Sequence, residues 1–165
     1  MDNDRERIYV ETTIPSLATS RLSRDPVMAG RQIVTKNFWE QERHKYELFI
    51  SQHVIDECSQ GDPEAAQKRL DLIKGIALLP TTEQTIELAG IYQKILDIPE
   101  KARLDCFHLS TSVVFGIDYL LSWNCTHLGV NAYAKVRGYN ERHGLWTPLL
   151  ITPEALIELS GEEQE

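Results

Sequence analysis

Short apolar runs alternate with longer helical patterns along the chain, and this alternation constrains the fold more than any other feature. Runs of four to six residues predict buried strands at residues 8–11, 47–51, 76–80, 118–123 and 148–152. Apolar strands separated by helical patterns are typical of α/β proteins with a parallel sheet. We therefore expect a three-layer α/β/α sandwich around a central parallel sheet of about five strands.

Helix start signals stand between the predicted strands. They are Asp25-Pro26, Asp62-Pro63-Glu64, Thr81 with Gln84 as a capping box, Pro99-Glu100, and Thr152-Pro153. Asp and Thr are good N-caps, and proline is favoured in the first helical turn. A further helix is expected from about residue 126 to residue 142. The expected order is β, one long α, β, α, α, β, α, α, β, α, β, α.

The length of 165 residues predicts one domain over residues 1–165, with an ordered core at about 7–159 and short polar tails. The 17 Lys and Arg against 25 Asp and Glu give a net charge of −8. This charge excludes a generally basic coat for nucleic acid, although a local basic patch remains compatible with it.

Composition also predicts the compartment. No apolar run reaches the roughly 18 residues that span a bilayer, and the N-terminus lacks the apolar core of a signal peptide. We therefore expect a cytoplasmic protein without a membrane partner. Cys58, Cys106 and Cys125 lack CxxC spacing and predict reduced thiols, with neither a disulfide framework nor a zinc site.

Oxygen-bearing side chains cluster near the predicted carboxyl ends of the strands, where open α/β sheets bind ligands. They are Glu11 after the first strand, Glu57 after the second, Asp105 on the helix that leads into the fourth strand, and Asn124 after that strand. Carboxylate and amide oxygens suit Mg²⁺ or Mn²⁺, whereas zinc prefers Cys and His. A divalent cation would also relieve the repulsion between the carboxylates.

Three of these residues, and the neighbouring His108, also have a plainer interpretation. Glu57 could be a solvated glutamate, and Asp105 could serve only the positive end of its helix. His108, one turn beyond Asp105, is more often a packed or hydrogen-bonded histidine than a metal ligand. Asn124 could cap the next helix. The spacing of these residues alone therefore does not decide between a metal site and these plainer interpretations.

At these positions the chain resembles the PIN-domain family of metal-dependent nucleases, which includes the VapC-like toxins of toxin–antitoxin pairs. The segments that carry the resemblance are IYVETTIPS, ISQHVIDECSQGDPEAAQKRL, LDCFHLSTSVVFGIDYLLSWN, and NCTHLGVNA with LITPEAL. The resemblance spans about residues 7–159. It implies a PIN-like fold, RNA phosphodiester hydrolysis with Mg²⁺ or Mn²⁺, and an acidic site at Glu11, Glu57 and Asp105.

The chain departs from the family pattern at two positions. Glu11 stands where Asp is commoner, and Asn124 stands where many members have Asp. Asn offers a carbonyl oxygen but no charge, so Asn124 is expected to weaken metal binding. The resemblance also implies a single-stranded or structured RNA substrate, an antitoxin as protein partner, and a homodimer.

Our leading hypothesis is a metal-dependent endoribonuclease in which Glu11, Glu57 and Asp105 are catalytic and, with Asn124, bind the ion. Thr12 and Ser122 are candidate substrate-binding or orienting hydroxyls. Candidate phosphate-binding cations are Arg21, Arg24, Lys101, Arg103, Lys135 and Arg137. The alternative is a catalytically weakened PIN-like module that acts through a protein partner. A different α/β hydrolase or phosphotransferase is disfavoured, because GxSxG, GxxxxGK[ST] and GxGxxG are absent from the chain.

Overall fold

The structure, a computed structural model, describes residues 5–124 and 130–162. Its centre is a five-stranded sheet in which every pairing is parallel. The strands are β1 (Arg7–Val10), β2 (Glu47–Ser51), β3 (Ala77–Leu79), β4 (Tyr119–Leu121) and β5 (Leu149–Ile151). Their order across the sheet is β3-β2-β1-β4-β5, so β1 lies in the middle with β2 on one side and β4 on the other.

Helices connect the strands. They are α1 (Thr13–Thr19), α2 (Pro26–Asn37), α3 (Gln52–Cys58), α4 (Pro63–Ile73), α5 (Glu83–Leu96), α6 (Arg103–Val114), α7 (Val130–Arg142) and α8 (Pro153–Glu162). A π-helical turn and a 3₁₀ turn continue α2 towards β2, and another 3₁₀ turn precedes α6.

The two helical layers follow from the strand order. The chain moves from β1 through β2 to β3 in one direction and then crosses to β4 and β5 in the other. Right-handed crossovers therefore place α1, α2 and α4 on one face and α5, α6 and α7 on the opposite face. Packing agrees, because α1 contacts α2 and α4, while α5 contacts α6 and α7. The predicted three-layer α/β/α sandwich is confirmed.

The five predicted strands are present, each within one or two residues of its predicted bounds. Their side chains form the core, in which Ile8, Tyr9, Val10 and Leu121 have no exposed surface. The N-caps Asp25 and Asp62 are also confirmed, because each accepts a hydrogen bond from a backbone N–H in the first turn.

Two predicted helix details are wrong. The long helix expected between β1 and β2, with its start at Asp25-Pro26, is α2, but the sequence did not predict the helix α1 that precedes it. Ser20 adopts an extended conformation that ends α1. The capping box uses Thr82 and Thr85, whereas the sequence pattern pointed to Thr81 and Gln84. The Thr85 hydroxyl accepts the Thr82 backbone N–H, so a second Thr replaces the expected Gln.

Some predictions concern residues that lie outside the described part of the chain. The predicted start of α7 near residue 126 is one of them, as is Cys125, whereas Cys58 and Cys106 are free and buried. Within residues 5–124 and 130–162, the helices are too short or too polar to cross a membrane.

Candidate functional site

The candidate site lies where β1 and β4 end side by side in the middle of the sheet. The chain leaves β1 towards one face of the sheet and leaves β4 towards the opposite face. The space between the ends of these two strands is therefore the topological switch point, where α/β sheets bind ligands. Glu11 directly follows β1, and its backbone N–H still donates to the Leu121 carbonyl oxygen of β4. Ser122, Trp123 and Asn124 directly follow β4.

The Glu11 carboxyl group is buried, with 6% of the residue exposed, and is surrounded by neutral donors. Its Oε2 accepts hydrogen bonds from the Thr13 backbone N–H at 3.0 Å, the Thr13 hydroxyl at 2.5 Å and the Ser122 hydroxyl at 2.8 Å. Donors from both strand ends thus fix one oxygen of Glu11. The Thr13 hydroxyl also accepts the Trp123 backbone N–H, and the Ser122 hydroxyl accepts that of Asn124.

The Glu57 carboxyl group has a different environment. Glu57 lies on α3, and its Oε1 accepts the Thr12 hydroxyl at 2.8 Å. The same oxygen lies 2.9 Å from Nε2 of His108 on α6. Burial acts to raise the pKa of Glu57, but the hydrogen bond and charge of His108 and the Thr12 hydroxyl outweigh it. The pKa of Glu57 is therefore below its ordinary value.

His108 is 2% exposed and links Glu57 to the core. Its Nδ1 lies 2.6 Å from the Tyr9 hydroxyl, which in turn lies 2.6 Å from Ser51 Oγ. Burial acts to lower the pKa of His108. The hydrogen bond to Glu57 and the negative charges of the nearby acids outweigh that effect, so its pKa is above the ordinary value. The plainer interpretation of His108 as a hydrogen-bonded histidine therefore describes its geometry.

Glu11 and Glu57 line one open cavity of about 390 Å³, which we name the glutamate cleft. Asn124, Trp123 and Arg31 also line the cleft. Hydrogen bonds of Glu11 and Glu57 thus involve one oxygen of each carboxyl group, while both side chains border the same space. Two acids and an amide therefore meet at one opening.

Asp105 lies in the first turn of α6 and borders a small second cavity. Glu11, Ser122, Asn124 and His108 border that cavity as well, so Glu11 and Asn124 are common to both spaces. The structure therefore brings Glu11 and Glu57 to one space and Glu11 and Asp105 to an adjoining one. Thr12 and Ser122, the two predicted hydroxyls, contact Glu57 and Glu11 respectively.

The donor chemistry suits a hard cation, because carboxyl and amide oxygens border the cleft. The structure does not bring a complete set of metal ligands together. In the part of the chain that the structure describes, no group of three His, Cys, Asp or Glu side chains is close enough to bind a metal ion together. The Mg²⁺ or Mn²⁺ site at Glu11, Glu57, Asp105 and Asn124 stays a prediction, as does helix capping by Asn124.

Sequence reasoning did not identify three residues at the site. Thr13 donates twice to Glu11, a role that was expected of Thr12 or Ser122. Arg31 and Trp123 line the glutamate cleft, yet neither was a candidate. Trp123 carried a usable signal, because it directly follows β4. Arg31 carried none, since only the packing of α2 brings it to the sheet edge.

The predicted phosphate-binding cations lie elsewhere. Arg103 pairs with Glu100 and Arg137 pairs with Glu141, in each case on the surface of a single helical segment. Arg21 borders a separate cavity between α1 and α4. The side chain of Lys101 lies outside the described part of the chain. Within the described residues, the cation that borders the glutamate cleft is Arg31.

Comparisons with known proteins support the fold. No model of a protein family matches the chain, and no curated protein matches it. The chain is similar in structure to a chain in the crystal structure of VapBC2 from Rickettsia felis bound to a DNA fragment from their promoter. The TM-score is 0.56 at 14% sequence identity, over 88% of this chain and 98% of that chain. At this identity the similarity shows a shared fold.

Proposed function

We propose that this chain is a PIN-domain endoribonuclease that hydrolyses RNA phosphodiester bonds with Mg²⁺ or Mn²⁺. The observation that carries the proposal is the glutamate cleft, where Glu11 and Glu57 border one opening at the switch point of the sheet. The fold similarity to a chain of VapBC2 supports it independently of the residue pattern.

In this proposal Glu11, Glu57 and Asp105 bind the ion through carboxylate oxygens, and Asn124 adds an amide oxygen. A bound divalent ion activates water for attack and stabilises charge on the phosphate. The chain itself fixes the acids before any substrate arrives. Thr13 and Ser122 orient Glu11, while Thr12 and His108 orient Glu57.

The test is cleavage of a mixed single-stranded RNA pool by the purified chain in Mn²⁺, Mg²⁺ or EDTA. Cleavage is expected with either metal and not with EDTA. Glu11→Gln removes a charge from the cleft with little change of shape and is expected to lower the rate at least about 100-fold. Glu87→Gln, an exposed position on α5, is the matched control and should cleave like the wild type.

Two results would contradict the proposal. Cleavage that persists in EDTA would remove the metal from the reaction. Equal activity of the Glu11→Gln and Glu87→Gln proteins would remove the glutamate cleft from it and point to a contaminating nuclease.

A second candidate is a weakened PIN-like module that acts through a protein partner, and Asn124 favours it because an amide adds no charge for the ion. The resemblance to VapC-like toxins, together with the fold similarity to a chain of VapBC2, leads us to propose an antitoxin partner and a homodimer as well. Metal binding by calorimetry without RNA cleavage would favour this module over the nuclease.

A further inference from the structure

One wall of the glutamate cleft differs in charge from the wall that carries the acids. Arg31 on α2 lines the cleft together with the acids, and among the described residues it is the cleft's single cationic side chain. Arg31 takes part in none of the ion pairs found in residues 5–124 and 130–162. Its charge is therefore not neutralised by a neighbouring acid within that part of the chain.

Trp123 positions the Arg31 guanidinium. The guanidinium carbon lies 5.3 Å from the centre of the Trp123 ring, which is within the range of a cation–π interaction. Trp123 itself is fixed at two points, because its indole N–H donates to the buried Thr35 hydroxyl at 2.8 Å and its backbone N–H donates to the Thr13 hydroxyl. The Thr13 hydroxyl also donates to Glu11. Arg31 is thus connected to the acidic wall through a short chain of contacts.

Apolar side chains complete this part of the cleft. Leu17 of α1 and Met28 of α2 line the same cavity as Arg31 and Trp123. A cation beside apolar surface matches one nucleotide of a single strand, which presents a phosphate next to the flat face of a base. Two acids alone would repel that phosphate, and a cation that borders the same cavity offsets part of this repulsion.

We propose that Arg31, supported by Trp123, binds a phosphate of single-stranded RNA in the glutamate cleft, and that Leu17 and Met28 contact the adjoining base. The proposal rests on the proposed nuclease function, and it names the substrate-binding residues of the same site. Arg31 is a substrate-binding residue here, and Trp123 is a positioning residue.

The test is binding of a fluorescein-labelled single-stranded RNA oligonucleotide, measured by anisotropy in EDTA at several salt concentrations. The Glu11→Gln protein is the common background, because it lacks one cleft charge and EDTA prevents metal-dependent cleavage. Arg31→Ala is added to this background, and Arg142→Ala, at an exposed arginine at the end of α7, is the matched control.

Arg31→Ala is expected to weaken binding about fivefold or more. It should also reduce the slope of log K against log salt by about 0.7, the value for one phosphate contact with a single strand. Arg142→Ala should change neither quantity. Met28→Ala should weaken binding about threefold without changing the slope, because losing about one buried CH₂ group of apolar contact releases no counterion. A merely structural role of Arg31 would leave the salt slope unchanged.

The outcomes separate this inference from the nuclease proposal. If Arg31→Ala and Arg142→Ala bind RNA equally, or if the background protein binds no RNA, the inference is overturned, whether or not the wild type cleaves. If the wild type fails to cleave but Arg31→Ala still lowers the affinity and the salt slope, the nuclease proposal fails and the RNA-binding subsite stands.

Discussion

The two glutamates of the cleft are the same residue type at one opening, but the chain stabilises them in different ways. Glu11 is 6% exposed and receives three hydrogen bonds from neutral groups at the ends of β1 and β4. Glu57 lies on a short helix and is bound by the imidazole of His108 and the Thr12 hydroxyl. Glu11 is thus positioned by the sheet, whereas Glu57 is positioned by an ion pair between α3 and α6.

This difference predicts that substitutions around the two glutamates have different effects on the stability of the protein. The neutral donors to Glu11, Thr13 and Ser122, lie at the neighbouring ends of β1 and β4, which the sheet already brings together. The Glu57–His108 pair crosses 51 positions of sequence and depends on the charge of both partners. We therefore expect substitutions of the residues that contact Glu57 to affect stability more strongly than substitutions of those that contact Glu11, and to do so with a pH dependence.

The largest effect on stability is expected for His108→Asn. This change removes the imidazole partner of the partly buried Glu57, which among the described residues keeps only its hydrogen bond from Thr12. Because Glu57 retains some contact with water, the expected cost is about 2–3 kcal/mol of unfolding free energy, less than for a fully buried pair. Urea denaturation in EDTA measures the loss, and a double-mutant cycle with Glu57→Gln isolates the pairwise part. A coupling near zero in that cycle would show that His108 acts only by filling space.

The pH dependence of stability should follow the same pair. The pKa of Glu57 is lowered, so its contribution is full above its ordinary value of 4.5 and is lost as the pH falls through the lowered value. The pKa of His108 is raised, so its contribution is full below its ordinary value of 6.5 and is lost as the pH rises through the raised value.

The metal-free wild type should therefore gain the whole contribution of this pair between pH 4.5 and 6.5. The difference in unfolding free energy between the wild type and His108→Asn should be largest in that window and should shrink as the pH rises above it. A difference that stays constant from about pH 5 to about pH 9 would contradict the raised pKa of His108.

The smallest effect is expected for Ser122→Ala on the Glu11 side. The change removes one of three donors to Glu11 and the acceptor of the Asn124 N–H, at a cost of about 1 kcal/mol. Because a serine hydroxyl does not titrate in this range, the loss should be the same at about pH 6 and about pH 8. A loss that exceeds that of His108→Asn would reverse the comparison between the two glutamates.

The strands and Glu11 could be predicted from sequence because both are local features. A run of apolar residues that ends in Glu11 already indicates a buried strand with an acid at its carboxyl end. The α/β rule then places that acid at the ligand edge of the sheet. The same rule predicted the proximity of Asn124, which follows β4 directly.

The remaining errors have tertiary causes. The segment of α1 contains Pro15 and two Thr residues and is a weak helix former, yet packing against α2 and α4 makes it helical. The partnership of His108 with Glu57 depends on α3 meeting α6, which no local spacing encodes. Arg31 likewise becomes a cleft residue only through the placement of α2 over the sheet edge.

The most direct test of the account is calorimetric titration of Mn²⁺ into the wild type and into Glu11→Gln, Glu57→Gln and Glu87→Gln. If both cleft glutamates bind one ion despite their different supports, the first two changes should each lower the Mn²⁺ affinity at least about tenfold. Glu87→Gln should leave it unchanged. Mn²⁺ affinity that is unaltered by Glu11→Gln or by Glu57→Gln would contradict the claim that the two glutamates form one metal site.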